Sequence, residues 1–355
     1  MRALRRLALW LLLPAPLAAQ VAKPSVPASD LKARQERARA YLAASREAEA
    51  VAELREAARR GPLDRDLALK LAGIELAQGN PALAEQQLQS AIDRFDSVQA
   101  LLTLARLEAA RKNAAAAIRS LDRARALAPN SEDVLLAYAE LSLAVRTPLP
   151  AILALEPLTR MCSTVAQYHY LFGVGLMQIG NTPAAVDALR EAQRLEPDRA
   201  LTLVGLGLAL NSQKLYGEAR QHLRRGLELD PDNADALAAL AESEEGLGEI
   251  ESAEAHAERA LARHAANARA NLVLGMLRIQ QQRYQEARDA LEQAVTAEPT
   301  LPKAHYQLSL ACARLGDQEG SRRHVELYQK HLKESEEGLR ALANQVGLSD
   351  ARTQP

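Results

Sequence analysis

The chain has 355 residues, 48% hydrophobic and 25% charged, and its 44 basic and 45 acidic side chains leave a formal net charge of −1. So balanced a charge supplies no general attraction for nucleic acid, and no nucleic-acid partner is expected. Only 3% of residues are aromatic while alanine is abundant. That composition suits closely packed helices and disfavours a β-rich core, so the expected fold class is all-α.

The N-terminus reads MRALRRLALWLLLPAPLAAQ, with Arg2, Arg5 and Arg6 ahead of the apolar run Leu7 to Leu13 and small residues ending at Ala18-Ala19. Residues 1–19 are therefore expected to be a signal peptide, which would make the mature protein exported, periplasmic or secreted; a retained signal anchor is the alternative. The apolar run falls far short of the roughly 20 residues that span a bilayer, so no transmembrane span is expected in the mature chain. Residues 20–30, with Pro24 and Pro27, are expected to form a disordered linker.

Beyond the linker the chain repeats itself. Pro129, Pro197, Pro231 and Pro299 fall on one grid with spacings of 34 or 68 residues. About nine units of 34 residues fit over 31–335, with one residue deleted near Phe95 to Ser97. The eighth position is Ala38, Ala72, Ala105, Ala139, Gly173, Gly207, Ala241, Gly275 and Ser309, and the twentieth is small in all nine units as well, from Ala50 to Ser321. Position 7 is large and apolar in eight units, Arg37 being the exception, and position 27 is small in seven. A large side chain beside a small one, facing a small residue on the next helix, lets two antiparallel helices approach and interlock. A proline such as Pro231 ends the second helix, helix B, and the polar residues after it cap the next helix A. Each hairpin leaves an apolar side exposed, so stability must come from stacking.

Small residues at 8, 20 and 27, a large one at 7 and a proline at 32 within 34 residues resemble the tetratricopeptide repeat family. The resemblance covers about 300 residues and is strongest in repeats 5 to 9, as in LVGLGLALNSQKLYGEARQHLRRGLELDP. It implies a tetratricopeptide-type α-solenoid, a right-handed superhelix whose A helices line a concave groove; the spacing alone shows stacked hairpins. Repeats 1 and 4 are degenerate. In repeat 4, Pro148, Pro150 and Pro157 are expected to shorten or kink helix B, and Leu158 stands where a small residue belongs. The resulting joint is either a hinge or sequence drift. Residues 336–355 are expected to form a C-terminal capping helix and tail, and from Ser321 onward Val325, Tyr328, Leu332, Leu339, Leu342 and Val346 fall at heptad-like steps with a polar gap at Ser335. That stripe either covers the last repeat or makes a homodimer.

No catalytic motif, phosphate loop, metal-ligand spacing or cofactor fingerprint is present, so the protein is not expected to be an enzyme, and no catalytic, cofactor or metal residues are assigned. The Gly-Val-Gly at 173–175 and Gly-Leu-Gly at 205–207 lie inside helix A, where packing accounts for them. His324 and His331 are one heptad apart, too distant to share a metal, and are expected to be solvated. His169 and His305 sit at position 4 of helix A, where groove or core packing is the default. Cys162 and Cys312 are expected to be small buried residues and not a bridge.

Function is then expected in the groove. The resemblance places positions 2, 5, 9, 12 and 13 of helix A on the concave side. Positions 5, 9 and 12 read Tyr170, Val174, Met177 in repeat 5; Val204, Leu208, Asn211 in repeat 6; Leu272, Met276, Ile279 in repeat 8; and Tyr306, Leu310 and Ala313 in repeat 9. Helix A of repeat 6, ALTLVGLGLALN, is apolar nearly all round. These residues suggest a hydrophobic groove for an amphipathic or extended apolar segment of a protein partner, unless superhelical curvature or the chain's own termini fill it. The Lys and Asn by which some family members clamp a peptide C-terminus are absent at positions 5 and 9. Repeat 7 adds an acidic block: Glu228 to Glu258 holds eleven acids and no Lys or Arg, with Asp235, Glu242 and Glu245 facing the groove. It is either a solvated surface or a guide for a basic partner. The expected protein is a non-enzymatic interaction scaffold or adaptor, with envelope assembly or export as the expected setting; the alternative is the recruiting subunit of a transferase or export enzyme complex.

Overall fold

A computed structural model describes residues 31–346 of the protein, with side chains through residue 334. The expected signal peptide and linker, and the end of the tail, lie outside the described residues. Eighteen α-helices and no strand occur among the described residues. The chain divides between Leu141 and Ser142 into two compact blocks. The first contains α1 (Leu31–Ala43), α2 (Glu47–Arg60), α3 (Arg65–Ala77), α4 (Pro81–Phe95), α5 (Val98–Ala110), α6 (Ala114–Leu127) and most of α7 (Glu132–Ala144). The second contains α8 (Pro148–Met161), α9 (Ala166–Gln178), α10 (Thr182–Leu195), α11 (Ala200–Ser212), α12 (Tyr216–Leu229), α13 (Ala234–Gly246), α14 (Ile250–Arg263), α15 (Ala268–Gln280), α16 (Tyr284–Ala297), α17 (Pro302–Arg314) and α18 (Gln318–Val346). Odd-numbered helices are helix A of each repeat and even-numbered ones helix B. Each block is a stack of hairpins, an all-α solenoid.

The small residues do the packing that their spacing predicts. A Cβ on Gly207 would lie 2.4 Å from Cγ of Leu223, and one on Gly275 would lie 2.4 Å from Cγ of Leu291. Position 8 is thus a socket for position 24 on the facing helix, which is Leu54, Leu88, Leu121, Leu155, Leu189, Leu223, Ala257 and Leu291 in repeats 1 to 8, every one at most 1% exposed. Leu189 also reaches the next repeat, where a Cβ on Gly205 would lie 3.3 Å from its Cδ2. One residue at position 24 therefore joins the two helices of its own hairpin and the hairpin that follows.

Turns and caps follow the same grid. Between helices A and B a single residue takes a left-handed backbone in all nine repeats: Ser45, Gly79, Lys112, Arg146, Gly180, Lys214, Gly248, Gln282 and Gly316. In the stretch LELDPDN, α12 stops at Leu229 and the side chain of Asn233 accepts from Ala236 N at 3.0 Å, capping α13.

Of the two effects expected of the prolines in repeat 4, shortening of helix B is not found: α8 has 14 residues, as α10 and α12 do. Pro148 occupies the first turn, where a helix has no N–H bond to lose, and only Pro157 stands inside the helix. Leu158 is fully buried in the slot that a small residue takes in seven other repeats. At the C-terminal end, α18 runs unbroken for 29 residues, so the helix expected after residue 335 continues helix B of repeat 9 as far as Val346. No helix among the described residues is long and apolar enough to cross a membrane.

Candidate partner-binding groove

Positions 5, 9 and 12 of a helix lie on one face because steps of three and four residues return to the same side. In α9 that face presents Tyr170, Val174 and Met177, and in the adjacent α11 it presents Val204 and Leu208. These five residues line one cavity of about 270 Å³, completed by Gln178, Leu201, Gly205 and the polar Asn233 and Asp235. The walls belong to the rigid core: Tyr170, Met177 and Leu208 pack against a buried cluster containing Leu189, Leu206, Leu210 and Leu223. Arg199 lies 5.2 Å from the Tyr170 ring centroid and donates to Gln167, which holds the ring in place. Burial pushes the Tyr170 hydroxyl pKa up, Arg199 opposing it. The site's mouth carries Leu201, 51% exposed, beside the exposed carboxylate of Asp235.

Leu201 was not among the expected site residues, although its signal was present: it occupies position 2, on the same face as Tyr170 and Val204. Asn211, which was expected to face a partner, is instead 4% exposed and used by the fold. It donates to Ala239 O at 2.7 Å and accepts from Ser243 Oγ at 2.7 Å, joining α11 to α13. Leu272 and Met276 of repeat 8 are buried with Leu291 and Leu308, and Ile279 packs against them half-buried. They form core and not a free groove wall, because the neighbouring repeats close over them. In repeat 9, Tyr306 and Leu310 are exposed, with the Tyr306 ring 5.5 Å from that of Tyr328. The groove expected in repeats 5, 6, 8 and 9 is thus a defined pocket in repeats 5 and 6, a closed wall in repeat 8 and an open apolar patch in repeat 9.

The acidic block is largely bound up by neighbours. Glu242 pairs with Arg269 and, at 3.6 Å, with Lys303, both from later repeats. Asp235 accepts from Asn267 at 2.9 Å and Glu245 from Gln280 at 3.1 Å. Glu244 is fully buried and held by His256 at 2.7 Å and Arg224 at 3.3 Å. Outside the groove, Asp232 pairs with Arg263, Glu249 with Arg220, and Glu254 with Arg278. The run carries no base of its own for residues 228–258, yet the bases of repeats 6 and 8 and of its own Arg263 neutralise much of it. Burial raises the Glu245 pKa, Lys303 opposing and Glu242 adding to the rise. Asp235 is the acid that also lines the pocket.

A second cavity of about 330 Å³ lies between α12 and α14, with Arg224, His256 and Arg259 around Leu227 and Leu240. Arg224 and His256 there are already engaged by Glu244. Among the described residues no group of three or more His, Cys, Asp or Glu side chains could hold a metal ion. The expectation that His324 and His331 are solvated does not hold. Their rings stack against His305, with centroids 5.4 and 5.5 Å away, and His305 and His324 bring their Nδ1 atoms to 3.1 Å. His305 Nε2 lies 2.8 Å from Pro299 O. Burial lowers the His324 pKa, with His305 and Arg323 adding and Asp317 opposing. Cys312 is buried, whereas Cys162 is only half-buried.

The sequence matches the family model described as Tetratricopeptide repeat over residues 36–98, 74–132, 170–234, 238–302 and 277–330. No curated protein matches the chain. Among solved structures, the chain is similar to a tetratricopeptide repeat protein from Parabacteroides merdae ATCC 43184, at 14% identity and a TM-score of 0.58, over 70% of this chain and 98% of that one. It is also similar to the APC/C hetero-tetramer Cut9-Hcn1, at 16% identity and a TM-score of 0.55, over 74% of this chain and 52% of that one. Both likenesses are of fold.

Proposed function

Since the chain belongs to the tetratricopeptide repeat family, whose repeats form protein–protein interaction scaffolds, we propose that it captures a segment of a protein partner in the pocket of repeats 5 and 6. The observation that carries this reading is the 270 Å³ cavity between α9 and α11, apolar in its walls and polar at one rim. Its size accommodates one large apolar side chain, and Asp235 supplies an acceptor for a backbone N–H or a basic side chain beside that anchor. The segment is therefore an amphipathic or extended one with a bulky apolar anchor next to a donor. The role is a non-enzymatic adaptor, and the leader-like N-terminus supports a place outside the cytoplasm, in envelope assembly or export. A recruiting subunit of a transferase or export enzyme complex would use the same pocket.

The test is purification of the mature chain from its native envelope beside a variant carrying Leu201→Glu and Leu208→Glu. Leu201 is exposed and Leu208 half-buried at the pocket wall, so circular dichroism of the variant, and of Leu201→Glu alone, checks that folding is kept. A partner retained by the native chain and lost by the variant supports the reading; the same partners with both proteins would refute it. Met276→Glu is unsuitable, because it would place a charge in the core of repeat 8. Recovery of a chain still carrying residues 1–19, from the cytoplasm alone, would overturn the exported location.

A further inference from the structure

Resting on the reading that a partner segment sits in the pocket of repeats 5 and 6, we infer that the residue beside its apolar anchor is a lysine or arginine whose cationic head meets Asp235 at the rim. The polar groups of the pocket carry this choice of occupant. No Lys, Arg or His lines the cavity of about 270 Å³; its polar side chains, the Tyr170 ring aside, are Gln178, Asn233 and Asp235. Asn233 is taken up by the fold: its Oδ1 accepts from Ala236 N and its Nδ2 donates to Asp230, each at 3.0 Å. Gln178 donates its amide to Leu143 O at 3.4 Å, which leaves its Oε1 as an acceptor. Asp235 receives Asn267 on Oδ1 at 2.9 Å, and its Oδ2 has no partner among the described residues. The groups left to a ligand are acceptors, and one of them is a carboxylate.

The bases nearby are already committed. Arg199, which stands over the Tyr170 ring, is engaged by Gln167 and Glu196. Position 2 of successive A helices reads Gln167, Leu201, Asp235, Arg269 and Lys303 in α9, α11, α13, α15 and α17, so the row turns from neutral to acidic to basic. Both of those bases pair with Glu242, at position 9 of α13, and neither pairs with Asp235. Glu245, at position 12 of the same face, meets the neutral Gln280 at 3.1 Å. Burial pushes the Tyr216 hydroxyl pKa up, and Glu242 and Glu245 add to the rise, as carboxylates sharing its surroundings must. Three acids on the inner face of α13 thus stand against two bases, and the acid at the pocket has no counter-charge.

A segment seated in the pocket strips water from that rim. A backbone N–H could donate to Oδ2 but would leave the carboxylate covered without a counter-charge, which is the costly case. A Lys or Arg head supplies donor and counter-charge together, while its methylene stem lies along Leu201, which is exposed at the mouth. An acidic residue in the same place would be repelled by Asp235 and by the Glu242 and Glu245 stripe beyond it. The segment is therefore a bulky apolar residue flanked by a base on the side of repeat 7.

A random peptide library displayed on phage and selected on the full chain at low salt is the probe. Selection is repeated on a chain carrying Leu201→Gln and Leu208→Gln, which removes apolar wall without adding charge, and on Asp235→Asn. Circular dichroism checks the folding of each, with Leu201→Gln alone as the milder wall variant. Sequences held by the native chain and lost by the wall variant should carry Lys or Arg next to a bulky apolar residue. Synthetic copies should bind the Asp235→Asn chain about three- to tenfold more weakly, and should lose affinity for the native chain as NaCl rises from about 0.05 to 0.5 M. Wall-dependent sequences without that base, or equal binding to Asp235→Asn, would overturn this inference and leave the pocket itself as the binding site. No wall-dependent sequence at all, as when the chain's own termini fill the cavity, would overturn both.

Discussion

Repeats 6 and 7 are neighbours with the same backbone plan, yet they are held by different chemistry. In repeat 6, Gly207 receives Leu223, and α11 buries Leu203, Val204, Leu206, Ala209 and Leu210. In repeat 7 the corresponding pair is Ala241 and Ala257, and α13 buries Ser243 and Glu244 alongside its alanines and leucines. Less apolar volume meets at the hairpin of repeat 7. Hydrogen bonds from Ser243 to Asn211 and from His256 and Arg224 to Glu244 tie it to the repeat before and to its own helix B. The helical frame is thus set by small residues on a fixed grid, while the interior bonding can be exchanged between dispersion and charge.

That contrast can be broken most forcefully in repeat 6. Leu223→Ala removes a fully buried side chain from a socket shaped around it, and a loss of about 2–5 kcal/mol is expected in chemical denaturation. In repeat 7, Glu244→Ala should cost less, about 1–3 kcal/mol, because Arg224 is half-exposed and can be rehydrated when its partner goes. If Glu244→Ala proves the costlier of the two, the view that apolar volume outweighs the buried pair is wrong.

The turns sharpen the comparison at smaller scale. Repeat 6 places Lys214 at φ 60 where repeat 7 has Gly248 at φ 78. A side chain at such a φ is strained, so Lys214→Gly should raise stability by about 0.5–1 kcal/mol and Gly248→Lys should lower it, measured as opposite shifts in Tm. Equal signs for the two exchanges would show that contacts of the side chain outweigh the backbone.

The smallest effect is in pH. Burial lowers the pKa of His222 in repeat 6, with Arg190 adding and Glu218 opposing, and Gln193 contacts its ring. A histidine with a depressed folded pKa binds its proton more readily when unfolded. Its contribution is complete above the unfolded value of about 6.5 and is lost as the pH falls below it towards the folded value. Stability should therefore fall modestly between pH 7 and 5, and His222→Gln should flatten the share due to repeat 6. His324 acts in the same direction in repeat 9, where His305, His331, Arg323 and Asp317 surround it. Hydrogen exchange should show α17 and α18 loosening over the same range. A stability that rises on acidification would contradict both assignments.

Much of the fold was legible because the grid of small residues is a local property. The residue at position 8 or 20 must be small whatever lies far away, and Pro231 with Asn233 ends one helix and caps the next by short-range geometry. Proline positions were less reliable guides: Pro148 and Pro150 looked disruptive in repeat 4 but fall in the first turn, where the helix tolerates them. Of the groove, the face could be read from helical spacing, which brought Tyr170, Val174, Met177, Val204 and Leu208 to one cavity. Whether a residue on that face meets solvent could not. Leu272 and Tyr306 occupy the same position in adjacent A helices, yet one is core and the other exposed.

By itself, then, the sequence determined the helical hairpin, its period, its contact residues and the direction in which each helix face points, since all of these depend on neighbours within a few turns of chain. Only the tertiary structure decided which groove residues stay open, that Asn211 binds the backbone of Ala239, that the acids of repeat 7 are matched by arginines of repeats 6 and 8, and that three histidines stack. The physical reason is one of distance. Burial, ion pairing and ring stacking are settled by side chains 19 to 32 residues apart in sequence, as in His305 with His324 and Ser243 with Asn211, and a repeat pattern does not state which of those side chains will meet.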